Sequence, residues 1–230
     1  MKPFPPIALA LLLAGCLNDA PKPTPSPSTP AAKPDAEGFV PIDIDVPNIV
    51  GETKDGQTLL PTPVAVEHAT DTFAVRLKIG GKSRGYVYTD RSYRNFTLRF
   101  DVRWPKAAEL PEDERPNANT GVLVFITGEH KVWPKCLEVQ GKWSEMGHIK
   151  SNAKDVTVTV RDDEAARQQA RKPVGEWNSI EMVAKDGALT STLNGTKIAE
   201  SAPTELVEGP IGFQAERFDV EFRNVRIREE

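Results

Sequence analysis

Glu138 and Gln140 are the residues best placed to do chemistry. They lie in Lys131-Val132-Trp133-Pro134-Lys135-Cys136-Leu137-Glu138-Val139-Gln140-Gly141. The spacing predicts a strand entered through a Trp-Pro corner. Alternation puts Cys136, Glu138 and Gln140 on one side and Leu137 and Val139 on the other. If the apolar side meets a core, the acid and amide must face water, a ligand or a partner. A carboxylate can serve as general base or acid, and an amide can hold a hydroxyl or a carbonyl oxygen. A plain ion-pair role for Glu138 is the competing reading.

Other candidates surround this strand. Phe96, Leu98, Phe100, Val102 and Trp104 alternate with Thr97, Arg99, Asp101 and Arg103, which predicts a second half-buried strand. Arg103 and Asp101 could bind substrate from its polar row, although a solvated salt-bridge row is the simpler reading. His148 could titrate near neutral pH. Trp133 and Trp143 flank the Glu strand, and aromatic faces suit sugar rings. Trp177 reads as core. No metal is expected at His130 or His148, because no close His/Asp/Cys spacing supports one. No cofactor is expected.

Turn signals supply the frame. Asn194-Gly195 and Asp186-Gly187 divide Trp177 to Glu200 into a three-strand meander. Gly80-Gly81 reads as another hairpin turn. Gly121–Ile126, Val156–Val160, Ile211–Ala215 and Val220–Ile227 are further strands. In the last, apolar parity shifts between Phe222 and Val225, which implies a bulge near Arg223-Asn224. Asp162 or Asp163 can cap a short surface helix over 164–171. Ala107 to Asn119 reads as an exposed loop. The fold class is therefore all-β: a jelly-roll β-sandwich of antiparallel sheets with one short surface helix.

The N-terminal region is different. Lys2 precedes a short apolar run, Ile7 to Ala14, well below the roughly 20 residues that span a bilayer. It ends in Leu13-Ala14-Gly15-Cys16, which resembles a bacterial lipobox; the resemblance implies lipidation of Cys16. Residues 1–16 are read as a lipoprotein signal peptide. Leu17 suits outer-membrane retention. Residues 17–37 hold Pro21, Pro23, Pro25, Pro27, Pro30 and Pro34 and read as an extended linker. Residues 38–230 form the domain. With Cys16 lipidated, Cys136 has no cysteine partner; it reads as a buried strand thiol. The membrane would be met through the lipid alone. A net charge of −4 makes nucleic acid an unexpected partner. Oligomeric state is not legible.

Seven pieces occur in series: Tyr93 to Arg103, Asn119-Thr120-Gly121-Val122, Leu137-Glu138-Val139-Gln140, Gly175-Glu176-Trp177-Asn178, Leu193-Asn194-Gly195, Gly209 to Gln214, and Phe222 to Ile227. Together they resemble the 3-keto-disaccharide hydrolase domain family. The resemblance implies a concanavalin-like fold and action on 3-keto-glycosides by elimination and hydration. A ketone at C3 acidifies the C2–H bond, so such a site needs a base, an acid for the leaving oxygen, and donors to the ketone. Glu138 and His148 are then candidate catalytic groups. Gln140, Arg103, Asp101, Asn119, Trp133 and Trp143 are candidate sugar contacts, all expected around one hollow. Endo-glucanases on this fold can carry Glu-x-Asp-x-x-Glu. Here the equivalent positions are Gln140 and Trp143, so a two-carboxylate retaining mechanism cannot run from this strand. A non-catalytic carbohydrate-binding module and a purely structural envelope protein are the alternatives.

Overall fold

A computed structural model describes residues 33–44, 48–61, 64–68, 75–79, 83–105 and 109–230. Cys16, most of the proline-rich stretch and Gly80-Gly81 lie outside the described residues. Among the described residues, sixteen strands and one α-helix follow in order: β1 (Val40–Pro41), β2 (Ile49–Lys54), β3 (Gln57–Leu59), β4 (Val64–His68), β5 (Val75–Ile79), β6 (Arg84–Tyr88), β7 (Phe96–Arg103), β8 (Gly121–Thr127), β9 (Lys135–Gln140), β10 (Ile149–Ser151), β11 (Val160–Asp162), α1 (Glu164–Ala170), β12 (Asn178–Lys185), β13 (Ala188–Leu193), β14 (Thr196–Ser201), β15 (Gly212–Glu216) and β16 (Val220–Glu229).

They form two antiparallel sheets. One runs β11-β14-β13-β12-β7-β16-β5-β4, with β1 beside β16; the other runs β10-β9-β8-β15-β6-β2-β3. The chain crosses repeatedly between them, as a concanavalin-like jelly roll requires. Between the sheets lies one apolar core. Phe100, Phe213 and Phe222 meet edge to face there, with centroids 5.1 to 6.2 Å apart.

Several local expectations match. Asn194-Gly195 and Asp186-Gly187 have positive φ at both residues and join β13 to β14 and β12 to β13. The β16 register shifts across Arg223/Arg226, and Asn224 has φ 54°. Asp163 caps α1, its side chain accepting from Ala166 N at 2.8 Å. Three expectations are corrected. β5 pairs in the nine-stranded sheet and β6 in the seven-stranded one, so the chain through Gly80-Gly81 joins two sheets rather than making a hairpin. Of Val156–Val160, only Val160 is in a strand. Trp177 is half-buried outside the core, its ring met by Arg103 and Arg223 at 4.4 and 4.1 Å.

The sheets differ in a way that decides where a site can be. In the nine-stranded sheet, β7 and β12 alternate between buried core residues and more exposed outer ones. In the seven-stranded sheet, β8, β9 and β15 are buried almost continuously. Their outer face is therefore roofed, and side chains there are withdrawn from water although they do not belong to the core.

Candidate functional site

Register defines that roofed face. Leu137, Val139, Val122 and Phe213 point into the core. Cys136, Glu138 and Gln140 take the opposite side, as expected. Glu138 lies between Lys150 of β10 and Leu123 of β8, and Gln140 opposite Gly121. On β15, Gly212, Gln214 and Glu216 share this side and pair with Tyr88, Tyr86 and Arg84 of β6.

Glu138 and Gln214 bend toward one point above Gly121. A Cβ on Gly121 would lie 2.6 Å from Glu138 Oε1 and 2.3 Å from Gln214 Oε1. Both residues are only 1% exposed. Lys150 Nζ stands 3.4 Å from Glu138 Oε1 and is the nearest cation. Glu138 Oε2 and both polar side-chain atoms of Gln214 are buried with no hydrogen-bond partner in the protein. Such atoms cost about 1–3 kcal/mol each, so a fold that keeps three together holds a polar cradle at the expense of stability. Burial raises the Glu138 carboxyl above its ordinary pKa, against the pull of Lys150. Glu216 is pushed up to about 7, first by burial and then by the Glu138 charge. Glu216 of β15 is thus a second carboxyl near enough to Glu138 to feel its charge.

Beside the cradle is an apolar patch of Tyr86, Leu123, Ile126 and Cys136. Burial pushes the Cys136 thiol up to about 12, which keeps it an unreactive thiol. Asn152 Nδ2 reaches Cys136 Sγ at 3.7 Å and, beside Lys150, opposes the burial that raises the Glu138 pKa. Asn152 also lines an open hollow of about 700 Å³ at the sheet's rim, with Lys131, Lys135, Asp155 and Glu205. Glu138 does not itself line that hollow.

The other predicted site residues disperse, so the single shared hollow is not formed. Arg103 and Asp101 lie on the outer face of the opposite sheet. Arg103 pairs with Glu221 at 2.7 Å. Asp101 accepts from Ser179 Oγ, Arg223 Nε and Asn224 Nδ2 at 2.6 to 2.9 Å. This is the salt-bridge row. Chain residues 35–39 also cover part of that face: Glu37 pairs with Arg99 at 2.5 Å, and buried Phe39 lies beneath Arg99 and Arg228. The shallow groove left there, about 400 Å³, is lined by the already paired Arg99, Asp101 and Glu181.

His148 turns to the seam between the sheets, with Nδ1 3.0 Å from Asp162, which also accepts from buried Arg167. Trp143 donates to Lys172 O at 2.9 Å and is covered by Arg171 at 3.8 Å, so its ring is not free for a sugar. Trp133 is 44% exposed in the β8–β9 loop. Gln140 stays on the site face but spends Oε1 on Lys142 N, pinning the next turn. Asn119 accepts from Trp104 through its carbonyl, and its buried Oδ1 has no partner, two residues before Gly121. Gln214, Glu216, Lys150 and Tyr86 are the members missed as site residues. Gly212-Phe213-Gln214-Ala215-Glu216 carries the same alternation that exposed Glu138, and that signal was sufficient to find two of them.

Residues 48–228 match the model of the 3-keto-alpha-glucoside-1,2-lyase-like domain, and the chain belongs to that family. Among solved structures it is similar to a candidate glycosyl hydrolase from Parabacteroides distasonis, at 20% identity and TM-score 0.48, covering 80% of this chain and 94% of that one. It is also similar to the carbohydrate-binding module CBM66 from Bacillus subtilis, at 10% identity and TM-score 0.47, covering 74% and 94%. No curated protein matches it.

Proposed function

We propose that the protein binds 3-keto-glycosides on the roofed face of the seven-stranded sheet and cleaves them by elimination followed by hydration. The observation that carries this reading is the cradle over Gly121, where the Glu138 carboxyl and the Gln214 amide are buried side by side with unpartnered polar atoms. The family name, a 1,2-lyase-like domain for 3-keto-alpha-glucosides, supports the substrate class.

Glu138 takes the C2 proton. The C2–H electrons form a C2–C3 enolate whose negative charge gathers on the C3 oxygen, where the Gln214 amide and Lys150 ammonium are suited to donate; collapse of that charge back to the ketone then forms the C1–C2 double bond. As the C1–O bond breaks, the leaving oxygen takes a proton from Glu216, whose raised pKa keeps part of it protonated at neutral pH. Water then adds across the double bond: its oxygen bonds C1 while Glu216 takes its proton, and Glu138 returns its proton to C2. Lys150 covers Glu138, so the substrate reaches it only when that flexible side chain swings aside.

One observation favours binding without turnover: Glu138 is 1% exposed beneath its ion pair. A panel of oxidised and ordinary disaccharides separates the readings. Release of product from the 3-keto members alone supports the enzyme. Saturable binding with no product from any member supports a carbohydrate-binding module.

We also propose that Cys16 is lipidated and that the domain stands on an envelope membrane through the proline-rich stretch. The Leu13-Ala14-Gly15-Cys16 sequence supports this. Metabolic labelling with a fatty acid should mark the wild type and not Cys16→Ser; equal labelling of both contradicts it.

A further inference from the structure

We propose that the Tyr88–His130 stack is a sugar-binding subsite, which holds the leaving-group ring of a disaccharide beside the Glu138–Gln214 cradle. The inference rests on the elimination reading above and deepens it. His130 belongs to the loop between β8 and β9. Its ring lies nearly parallel to Tyr88, with centroids 4.3 Å apart and planes 17° apart. Its Nδ1 is 3.1 Å from the hydroxyl of Tyr86. One loop side chain is thus fixed on two tyrosines of β6.

Position ties this platform to the cradle. Tyr86 pairs in register with Gln214, and Tyr88 with Gly212. Tyr88, Gly212, Leu123 and Glu138 thus stand side by side on four neighbouring strands, and the side chains of Ile126 and Tyr86 close over Gly212 between the aromatic pair and the acid. Its character fits a sugar. His130 is exposed and Tyr88 half-buried, so the stack presents ring surface to solvent at the margin of a buried acid and amide. Sugar rings offer C–H faces to aromatic rings and hydroxyls to nearby polar atoms. Burial lowers the His130 pKa, which favours the neutral ring near pH 7. With Nδ1 engaged by Tyr86, Nε2 is the atom left to meet a hydroxyl. Trp143 cannot take this part, because Arg171 covers it.

The test uses two substrates with the same reacting ring, a methyl 3-keto-glucoside and a 3-keto-disaccharide, with wild type, His130→Ala and Tyr88→Leu. Turnover and titrated affinity are both measured. A lost ring stack predicts about tenfold weaker KM and affinity for the disaccharide, with the methyl glycoside unchanged. Equal losses on both substrates, or none on either, overturn the subsite. If the wild type turns over neither substrate, the elimination reading fails, and titration still judges the subsite; absence of disaccharide binding to the wild type overturns it. His130→Asn serves if the alanine variant melts early.

Discussion

Glu138 of β9 and Gln214 of β15 meet above Gly121, a residue of the strand that separates theirs. Only glycine leaves room: a methyl group would fall 2.6 Å from Glu138 Oε1 and 2.3 Å from Gln214 Oε1. Both neighbours are ends of flexible side chains, so they can turn away at moderate cost. Gly121→Ala should lower stability by about 1–3 kcal/mol, the range for overpacking. It should also remove most activity, because the cradle must open. Melting and turnover measured together check this. A folded variant of wild-type activity contradicts the site.

Glu216 makes stability depend on pH. Its carboxyl is pushed up to about 7 by burial and by the charge of Glu138. A raised acid pKa means that the native state favours the protonated form. The stability from that form is complete at low pH and is lost as pH rises from the ordinary carboxylate range through about 7. Glu216→Gln should therefore flatten this fall and gain stability relative to wild type at pH 8 more than at pH 5. Denaturant midpoints at both values decide the point; parallel curves would show that Glu216 is not perturbed.

The opposite sheet should be separable from function. Arg103→Ala removes the Glu221 ion pair and one face of the Trp177 sandwich, contacts worth about 1 kcal/mol together at a partly exposed site. Asp101→Ala leaves Ser179, Arg223 and Asn224 without their acceptor and should cost more, about 1–3 kcal/mol. Both variants should keep wild-type KM. A raised KM with unchanged melting would move the sugar site to the nine-stranded sheet.

Asp163→Ala should fray α1 and cost about 1 kcal/mol, since its side chain caps Ala166 N. The helix follows β11 at the edge of the nine-stranded sheet, so kcat should not change. Calorimetry and turnover on the same preparation test both halves.

The sequence shows its local structure plainly where one short stretch decides the outcome. Asn194-Gly195 demands positive φ at two adjacent residues, Asp163 precedes a helix of seven, and the parity change after Phe222 needs a bulge. The parity of Glu138 against Leu137 and Val139 was legible for the same reason. What failed depends on strand neighbours. Arg103 and Glu138 both sit on polar rows, but their strands occupy different sheets, which no local pattern reveals. His148 shares its parity with Glu138, yet a partner from β11 draws it to the seam. Of the surroundings the parity allows Glu138, water is ruled out by long-range packing, because β8, β9 and β15 are buried almost throughout. Gly80-Gly81 has the composition of a hairpin turn, while the two strands beside it join different sheets.

The central claim is tested most directly by titrating the isotope-labelled protein with a 3-keto-disaccharide and following amide resonances, with Glu138→Gln as the chemical control. Binding should shift the side-chain amide of Gln214 and the backbone amides of Gly121, Glu138 and Lys150, and Glu138→Gln should keep the binding while product formation stops. Shifts confined to the groove around Asp101 and Glu181, or undiminished turnover by Glu138→Gln, would contradict the account.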